Sequence, residues 1–575
     1  MKGKSEDQRR RGRQQRWLCW SLLAAAGLGL SLGAASCGGT AGSGAPLLQS
    51  NTNWLQRCGP DAPCSGALLC LCGMCTQPCA EAMECGRLEG ATCGGSCDEA
   101  APSGGGMCVL GCTTDDDCGA GFTCQATECR PQPATLDERA LGDDQVGTTG
   151  ACANAFVSLD NVFEHARLDL AQQDPEDRPY LRYLSLANRN DAGACEAELE
   201  TERLALAKLL NSTSTNANVT LPVPVDADRL LYRINLLDYD WDIPRERNGA
   251  TYTDAWDMIV RNTPYGLAFQ GPDASELSEQ TRSPVPLIQA DAFVHAAGRA
   301  EVYMALLGQP ETIAELLLDL GVDAEANRAD GAAWRAGTTQ SNISRANRII
   351  ERHEIETRAG ALWMTFDFVL ESELDIEINP LATESDGGTV TYGLPNGLPA
   401  FAIYDDDGFL RADSDILLDT NQNNFRALTA VSCMRCHTDT IVPVSDEVRS
   451  YVAANPTEFS AEDRESVARL YPTPDALRDL MANDNARFRS ALETVGAARG
   501  SADSVALVIY RFESDVTPST MAGDLMLAPA DIDEFQTAVG IGPIIDRDDF
   551  EQSLAQHLCT SLAGAKNRPV GCGSP

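Results

Sequence analysis

The stretch VSCMRCH, residues 431–437, contains the spacing C-x-x-C-H at Cys433, Cys436 and His437. This spacing is the attachment signature of a c-type haem. Each thiol can add across a vinyl group of the porphyrin, and the adjacent histidine then becomes the proximal ligand of the iron. A disulfide or half of a zinc site is the simpler alternative, but a zinc site needs a second Cys/His pair, and none follows at a useful spacing. The motif therefore predicts one covalently attached haem.

The sixth iron position has two main candidate ligands. The spacing of residues 344–368 predicts a helix, on which His353 shares an apolar stripe with Ile349 and Ile350. Met481 lies on the apolar stripe of a later helix, and either residue could instead be core packing. A vacant or water-filled position is the third alternative. Methionine ligation would raise the reduction potential, a second histidine would lower it, and an open position would permit small-ligand chemistry.

Three arginines lie close to His353 in the sequence: Arg345, Arg348 and Arg352. They could pair with the propionates of a haem. The alternative is that they line the exposed face of the predicted helix.

The first 36 residues have the pattern of an export signal. A positively charged segment precedes the apolar run from Trp17 to Gly33, and small residues lead to Cys37. This resembles a bacterial lipobox, so we expect Cys37 to carry lipid and to anchor the protein outside the cytoplasm. Gly38 in place of Asp favours the outer membrane. An ordinary cleaved signal and an uncleaved anchor are the alternatives, although the run is short for a stable span.

Fourteen of the 22 cysteines lie between Cys58 and Cys129, where a C-x5-C spacing recurs and large apolar residues are few. Such a segment needs crosslinks in order to fold, and disulfides form in exported proteins. We therefore expect disulfide-stapled repeats here, with metal binding by the thiols as the alternative. Two further disulfides are expected, Cys559–Cys572 and Cys152–Cys195.

The formal net charge is −40. A field of this sign repels nucleic acid and anionic lipid, which makes both unlikely partners by electrostatics. The charge is scattered over apparent helix faces, so it indicates first a well-solvated exterior and second the attraction of a basic redox partner. The sequence contains no phosphate-binding glycine loop, H-E-x-x-H motif or nucleophile-histidine-acid arrangement that would indicate another chemistry.

Composition and periodicity divide the chain into six segments. They are a lipoprotein-type signal peptide (1–36), a flexible linker (37–57), the Cys-rich repeats (58–130), a second linker (131–150), a mostly helical domain with a few strands (151–430) and a helical cytochrome c-like haem region (431–575). The expected fold class is mainly α with a small β component: a disulfide-rich module followed by a large, mostly helical unit.

Several local patterns are clear. Alternation from Leu230 to Leu236 predicts a strand, and residues 389–418 are expected to form a hairpin. Ser445 and Ser460 are candidate helix N-caps, and Thr473-Pro474 predicts the start of a long helix that reaches about Val495.

Seven segments occur in an order that resembles a known family. They are YLRYLSLANRNDAG (180–193), LLYRINLLDYDW (230–241), ISRANRIIERHE (343–354), YGLPNGLPAF (392–401), VSCMRCH (431–437), VRSYVAANPTEF (448–459) and RFRSALETVG (487–496). Together they resemble large exported bacterial cytochrome c-like proteins with a single C-x-x-C-H and no assigned activity. The resemblance spans roughly residues 150–560 and implies thioether bonds at Cys433 and Cys436 and axial ligation by His437. Thr438-Asp439-Thr440 departs from the family, which often has Gly and then an aliphatic residue soon after this histidine.

The sequence thus favours a membrane-anchored monohaem c-type cytochrome that exchanges electrons with a partner protein. One alternative is a haem-dependent enzyme or sensor with an open sixth position. The other is a surface adhesion or scaffold protein in which haem is structural. An electron carrier is preferred over a catalyst, in part because dihaem peroxidases need two attachment motifs and this chain has one.

Overall fold

The computed structural model describes residues 152–572 and a set of strand residues between 69 and 131. Within 152–572 the exceptions are 248, 339–346, 359, 369–375, 377, 420–425, 443 and 498–501. The export signal, Cys37 with the linker that follows it, and all of the 131–150 linker beyond Pro131 lie outside the described residues.

The described part of the Cys-rich region consists of seven short strands. They are β1 (Leu69–Leu71), β2 (Met74–Thr76), β3 (Pro78–Cys79), β4 (Ala91–Gly94), β5 (Gly106–Leu110), β6 (Phe122–Gln125) and β7 (Glu128–Pro131). Strands β3, β5 and β4 form one sheet, and β1–β2 and β6–β7 are hairpins. Cys93 and Cys108 stand opposite each other in β4 and β5, and each is disulfide-bonded.

The described residues from 152 to 330 combine helices with a four-stranded sheet. The helices are α1 (Leu159–Ala171), α2 (Ala187–Asp191), α3 (Glu196–Ser212), α4 (Ala255–Arg261), α5 (Pro272–Thr281), α6 (Ala290–Gly298), α7 (Ala300–Leu306), α8 (Ile313–Asp319) and α9 (Ala324–Asp330). The strands are β8 (Leu181–Ser185), β9 (Val223–Pro224), β10 (Leu231–Asn235), β11 (Arg245–Arg247), β12 (Ala250–Tyr252), β13 (Phe269–Gln270) and β14 (Leu287–Gln289). The sheet has the order β14-β8-β10-β9, and β10 confirms the predicted strand at 230–236.

A six-stranded antiparallel sheet follows. Its strands are β15 (Trp334–Thr338), β16 (Arg348–Glu354), β17 (Ala361–Asp367), β18 (Gly387–Gly393), β19 (Pro399–Asp405) and β20 (Leu410–Arg411), paired in sequence order. Two more strands, β21 (Asp413–Leu418) and β22 (Arg426–Leu428), pair with each other beside it.

This sheet makes the predicted fold class, mainly α with a small β component, wrong. The helix expected at 344–368 is also wrong, since its described residues form the antiparallel pair β16–β17. The charged residues there had suggested the exposed face of a helix, but Arg348, Glu351 and Arg352 are all buried and ion-paired. Once those charges are neutralised by partners, β-branched and aromatic neighbours fit a pleated sheet better than a helix.

Residues opposite each other in paired strands project to the same face of a sheet, so the register defines two faces. One face, which we name the His353 face, carries the side chains of Ile349, Glu351, His353, Leu362, Met364 and Val390. The other face, which we name the Phe401 face, carries the side chains of Arg348, Ile350, Arg352, Trp363, Thr391 and Phe401.

The described chain after residue 430 is helical apart from one short strand. The elements are α10 (Val431–Cys436), α11 (Val448–Ala454), α12 (Ala461–Leu470), α13 (Pro474–Val495), α14 (Ser504–Phe512), α15 (Pro518–Asp524), α16 (Ile532–Val539), α17 (Arg547–Ser561) and β23 (Arg568–Pro569). Helix α13 confirms the predicted long helix, and Ser460 caps α12 as expected. Ser445 does not cap α11, whose N-cap residue is Glu447.

Elements from either side of residue 430 share the same hydrophobic cores. Helix α14 packs between α3 and α6, and α10 packs against α14. A second core on the His353 face joins the sheet to α12 and α13. No helix in the described part of the chain is both long and apolar enough to cross a membrane.

Two disulfides are present in this part of the protein. Cys152 is bonded to Cys195, which lies directly before α3, and Cys559 near the end of α17 is bonded to Cys572.

Candidate functional site

The C-x-x-C-H motif forms the short helix α10 and the residue that follows it. Val431 and Met434, three positions apart, are both buried in the main core and fix which side of the helix faces inward. Ala430, directly before the helix, has a φ of 74°, which residues other than glycine rarely adopt. Backbone of this kind tends to occur at functional sites.

A buried carboxylate orients the motif helix. Asp419 accepts a hydrogen bond from the Ser432 hydroxyl at 2.5 Å and one from the Arg435 guanidinium at 2.5 Å. Arg435 is one of the two residues between the motif cysteines, so Asp419 holds the backbone between them. The Ser432 hydroxyl also accepts a hydrogen bond from the backbone of Leu428, which joins the helix to β22. The side chains of the two cysteines are therefore carried on a fixed backbone.

The two motif cysteines are unpaired. Cys433 is half-buried against the core, Cys436 is exposed, and the two sulfurs are not bonded to each other. Burial raises the pKa of Cys433 to about 12, and it also raises the pKa of Cys436. Both sulfurs are therefore available for a bond to another group.

His437 has the hydrogen bonding of a metal-ligating histidine. Its Nδ1 lies 3.1 Å from the carbonyl oxygen of Thr440. A carbonyl only accepts, so Nδ1 carries the proton and Nε2 has the free lone pair. The amide of Val442 is 3.4 Å from the same Nδ1, but this contact is long for a hydrogen bond and the shorter one decides the tautomer. Nε2 has no hydrogen-bond partner among the described residues.

The surroundings of His437 keep it neutral. Burial lowers its pKa to about 4, and the nearby positive charge of Arg348 acts in the same direction, while the hydrogen bond to Thr440 opposes them. The ring stacks on Phe401 at a centroid distance of 5.7 Å and an angle of 25°. His437 is therefore an oriented, neutral imidazole at neutral pH.

The loop after His437, where the sequence departs from the family it resembles, is held by distant residues. Asn485 on α13 accepts a hydrogen bond from the amide of Ile441 at 2.7 Å. Lys208 on α3 forms a buried ion pair with Asp503. Its Nζ also lies 3.4 Å from the carbonyl oxygen of Thr438. Neither Asn485 nor Lys208 was expected at this site from the sequence. One feature of the sequence could have indicated Asn485: it is a polar residue on the apolar stripe of its helix, one turn after Met481.

His353 belongs to a buried ionic cluster. Its Nε2 lies 2.7 Å from Oε1 of Glu351, and its Nδ1 lies 3.2 Å from the side-chain nitrogen Nδ2 of Asn327, so both ring nitrogens are hydrogen-bonded. Burial alone would raise the pKa of Glu351. The hydrogen bond from His353 and the charges of Arg335 and Arg328 outweigh burial and lower that pKa to about 2. His353 is thus a structural partner of a buried carboxylate.

The structure does not bring His353 to the motif. His353 lies on its own face of the sheet, while His437 stacks on Phe401, which belongs to the opposite face. Side chains alternate between the faces of a strand, and the thickness of the sheet therefore separates the two histidines. The expectation that His353 lies on a helix beside the haem is corrected accordingly.

Met481 lies on the same side of the sheet as the motif, since it clusters with Trp363 of the Phe401 face. It packs with Trp363, Ile441 and Val444. These neighbours account for Met481 as core packing.

Known proteins offer no guide to this site. No protein-family model, no curated protein and no solved structure matches the chain.

The residues at the site nevertheless fit a covalently attached haem. Two unpaired thiols stand at the required spacing, the adjacent histidine is neutral, and its free nitrogen is the one that a metal would bind. A structural zinc site fits less well. No group of three or more His, Cys, Asp or Glu side chains arranged to hold a metal ion occurs in the part of the chain that the structure describes.

Proposed function

We propose that this protein is an extracytoplasmic, membrane-anchored monohaem c-type cytochrome that transfers electrons. The observation that carries the proposal is the contact of His437 Nδ1 with the carbonyl of Thr440, in a C-x-x-C-H motif whose two thiols are unpaired. In exported proteins a close pair of cysteines is normally a disulfide, so two free thiols beside an oriented histidine call for another partner.

Each residue of the motif has a separate task in this proposal. Cys433 and Cys436 supply the sulfurs for two thioether bonds, and Asp419 holds the backbone between them through Arg435. His437 supplies Nε2 as the axial ligand, and the carbonyl of Thr440 fixes its ring. A bound haem would supply one-electron oxidation and reduction at its iron.

The partners follow from charge and from the amino terminus. The formal net charge of −40 favours a basic redox partner and disfavours nucleic acid. Lipid on Cys37 would tether the protein to the bacterial cell envelope, and we propose the outer membrane.

The test compares the wild-type protein with the double variant Cys433→Ser/Cys436→Ser after production with haem-attachment machinery. The wild type is expected to keep a haem spectrum after denaturation and solvent extraction, because thioether bonds survive both, and the variant is expected to lose it completely. The variant Cys559→Ser/Cys572→Ser, which removes another close cysteine pair, is the matched control and should keep its haem. A colourless wild-type protein would refute the proposal.

A second candidate function is small-ligand binding at an open iron position, as in a haem sensor or enzyme. The position of His353, on the opposite face of the sheet from His437, favours it, because this expected distal histidine is then too far from the motif to close the position. Adding carbon monoxide to the reduced protein separates the two functions. Spectral change within the mixing time would indicate an open position and favour this candidate, whereas slow or absent binding would favour a closed electron carrier.

A further inference from the structure

The Phe401 face of the six-stranded sheet has a floor of small polar side chains. Its two central strands, β17 and β18, contribute the side chains of Thr365, Thr389 and Thr391. The register of these strands places the three threonines on the same face as Trp363 and Phe401. Phe401, stacked on His437, borders this floor on β19. Arg348 borders it on β16, three strands away, which is about 14 Å across the sheet at normal strand spacing. In the register Arg348 aligns with Asp405, four residues beyond Phe401 on β19.

Arg348 has an incomplete set of hydrogen-bond partners. It is 7 % exposed, and its Nε donates to Asp367 at 2.5 Å. Its Nη2 is buried without a partner. Asp367 cannot easily serve this atom as well, because its second oxygen accepts a hydrogen bond from the Thr365 hydroxyl at 2.6 Å. The ion pair therefore fixes the guanidinium and leaves one of its donors unsatisfied.

A second unsatisfied group lies beside it. Thr338 stands opposite Arg348 in the register of β15 and β16, so the two side chains project from the same face. Thr338 is fully buried, and its Oγ1 also has no partner. Buried polar atoms are nearly always hydrogen-bonded, and an unpaired one costs about 1–3 kcal/mol. Two adjacent orphaned groups on one face indicate a missing acceptor.

The missing group is a hydrogen-bond acceptor. The Nη2 of arginine can only donate, and the threonine hydroxyl can donate as well, so one acceptor with two lone pairs satisfies both. A carboxylate forms the strong, charge-assisted version of this contact with arginine. The positive charge of Arg348 also reaches the motif, since it adds to the lowering of the pKa of His437 and opposes the rise that burial causes in the pKa of Cys436.

We propose that Arg348 and Thr338 bind a propionate of the haem attached at Cys433 and Cys436, and that Asp367 positions the guanidinium for this contact. This assignment rests on the proposed function. It selects Arg348 over Arg352, while Arg345, the third arginine that the sequence offered, lies outside the described residues. It also adds Thr338 and Asp367, which the sequence did not indicate. Arg352 is excluded because Asp484 and Glu354 already bind its guanidinium.

The test measures the reduction potential of the haem-loaded protein between pH 5 and 8. In Arg348→Gln the potential is expected to fall, because the lost positive charge had disfavoured the more positive oxidised iron. The potential should also become pH-dependent, because the pKa of a propionate without its arginine rises towards this range. Within the described ranges, the charged or titratable groups that interact with Arg348 are Asp367, Tyr404, Cys436 and His437.

Two further variants separate binding from structure. Thr338→Val keeps the shape of the side chain and is expected to lower the potential by less than Arg348→Gln does, without destabilising the haem-free protein, since its hydroxyl has no partner there. It also keeps the proposal testable if Arg348→Gln does not fold. Arg352→Gln, on the same strand and face, is the matched control and should leave the pH dependence of the potential unchanged.

The outcomes distinguish the two proposals. A wild-type protein without covalent haem overturns both. A haem-loaded wild type overturns only the propionate assignment if the potential and its pH profile are unaltered in Arg348→Gln and Thr338→Val. The same assignment is overturned if the effect of Arg348→Gln appears only when phosphate is added to the buffer, because the bound group is then a free anion.

Discussion

The variant His437→Ala is expected to contain at least about tenfold less covalently bound haem than the wild-type protein. The imidazole, which is the proposed ligand, is held in place by the carbonyl of Thr440 and by stacking on Phe401. Alanine leaves no side chain at this position that could bind the iron. Absorbance of the purified, denatured protein measures the bound haem directly. Any haem that remains should lack the bands of histidine ligation.

His353→Gln is the matched control for this experiment. It changes a more deeply buried histidine, but one on the opposite face of the sheet. Haem content and the ligand-sensitive bands are expected to stay as in the wild type, whatever the variant does to stability. If His353→Gln changes those bands and His437→Ala does not, the axial ligand is His353 and not His437.

The variant Glu351→Ala is expected to lower the free energy of unfolding by about 3–5 kcal/mol. The side chain of Glu351 is fully buried and accepts hydrogen bonds from Arg328 at 2.7 Å and Arg335 at 2.5 Å, in addition to its contact with His353. Without the carboxylate, Arg335 keeps a buried positive charge with no carboxylate partner. Denaturant titration of the mature protein at pH 7 measures the loss.

A neighbouring glutamate provides the control. Glu354 lies on the same strand and pairs with Arg352, but its side chain is 71 % exposed. Exposed ion pairs contribute little, so Glu354→Ala should cost less than about 1 kcal/mol. Equal losses in the two variants would contradict the structural role assigned to Glu351.

The pKa of Glu351 gives the same prediction a pH dependence. The folded protein lowers this pKa from 4.5 to about 2, so the folded state favours the ionised carboxylate. That stabilisation is fully present above about pH 4.5 and is lost as the pH falls towards 2, and it amounts to about 3 kcal/mol. The wild type should therefore lose more stability than Glu351→Ala does over this interval.

Short-range features of this protein were predictable. The long helix at 474–495 follows from Thr473, Pro474 and an apolar stripe, all of which act within a few residues. The strand β10 follows from strict alternation. The pattern at 344–354 failed because adjacent Ile349 and Ile350 fit a helix and a doubly buried strand equally well. The strand is selected only by its pairing with β15 and β17, in which the paired residues lie up to 19 positions apart along the chain.

The prediction of haem attachment at the motif came from the sequence alone. Cys433, Cys436 and His437 are fixed relative to one another by five residues of covalent chain, so their spacing carries the prediction of haem attachment without any fold. What surrounds them was decided only by the tertiary structure. Strand pairing placed His353 on the far face of the sheet and Arg348 on the near one, and helix packing brought Lys208 and Asn485 to the loop after His437. These contacts join residues tens to hundreds of positions apart, and no local pattern in the chain specifies which distant surfaces will meet.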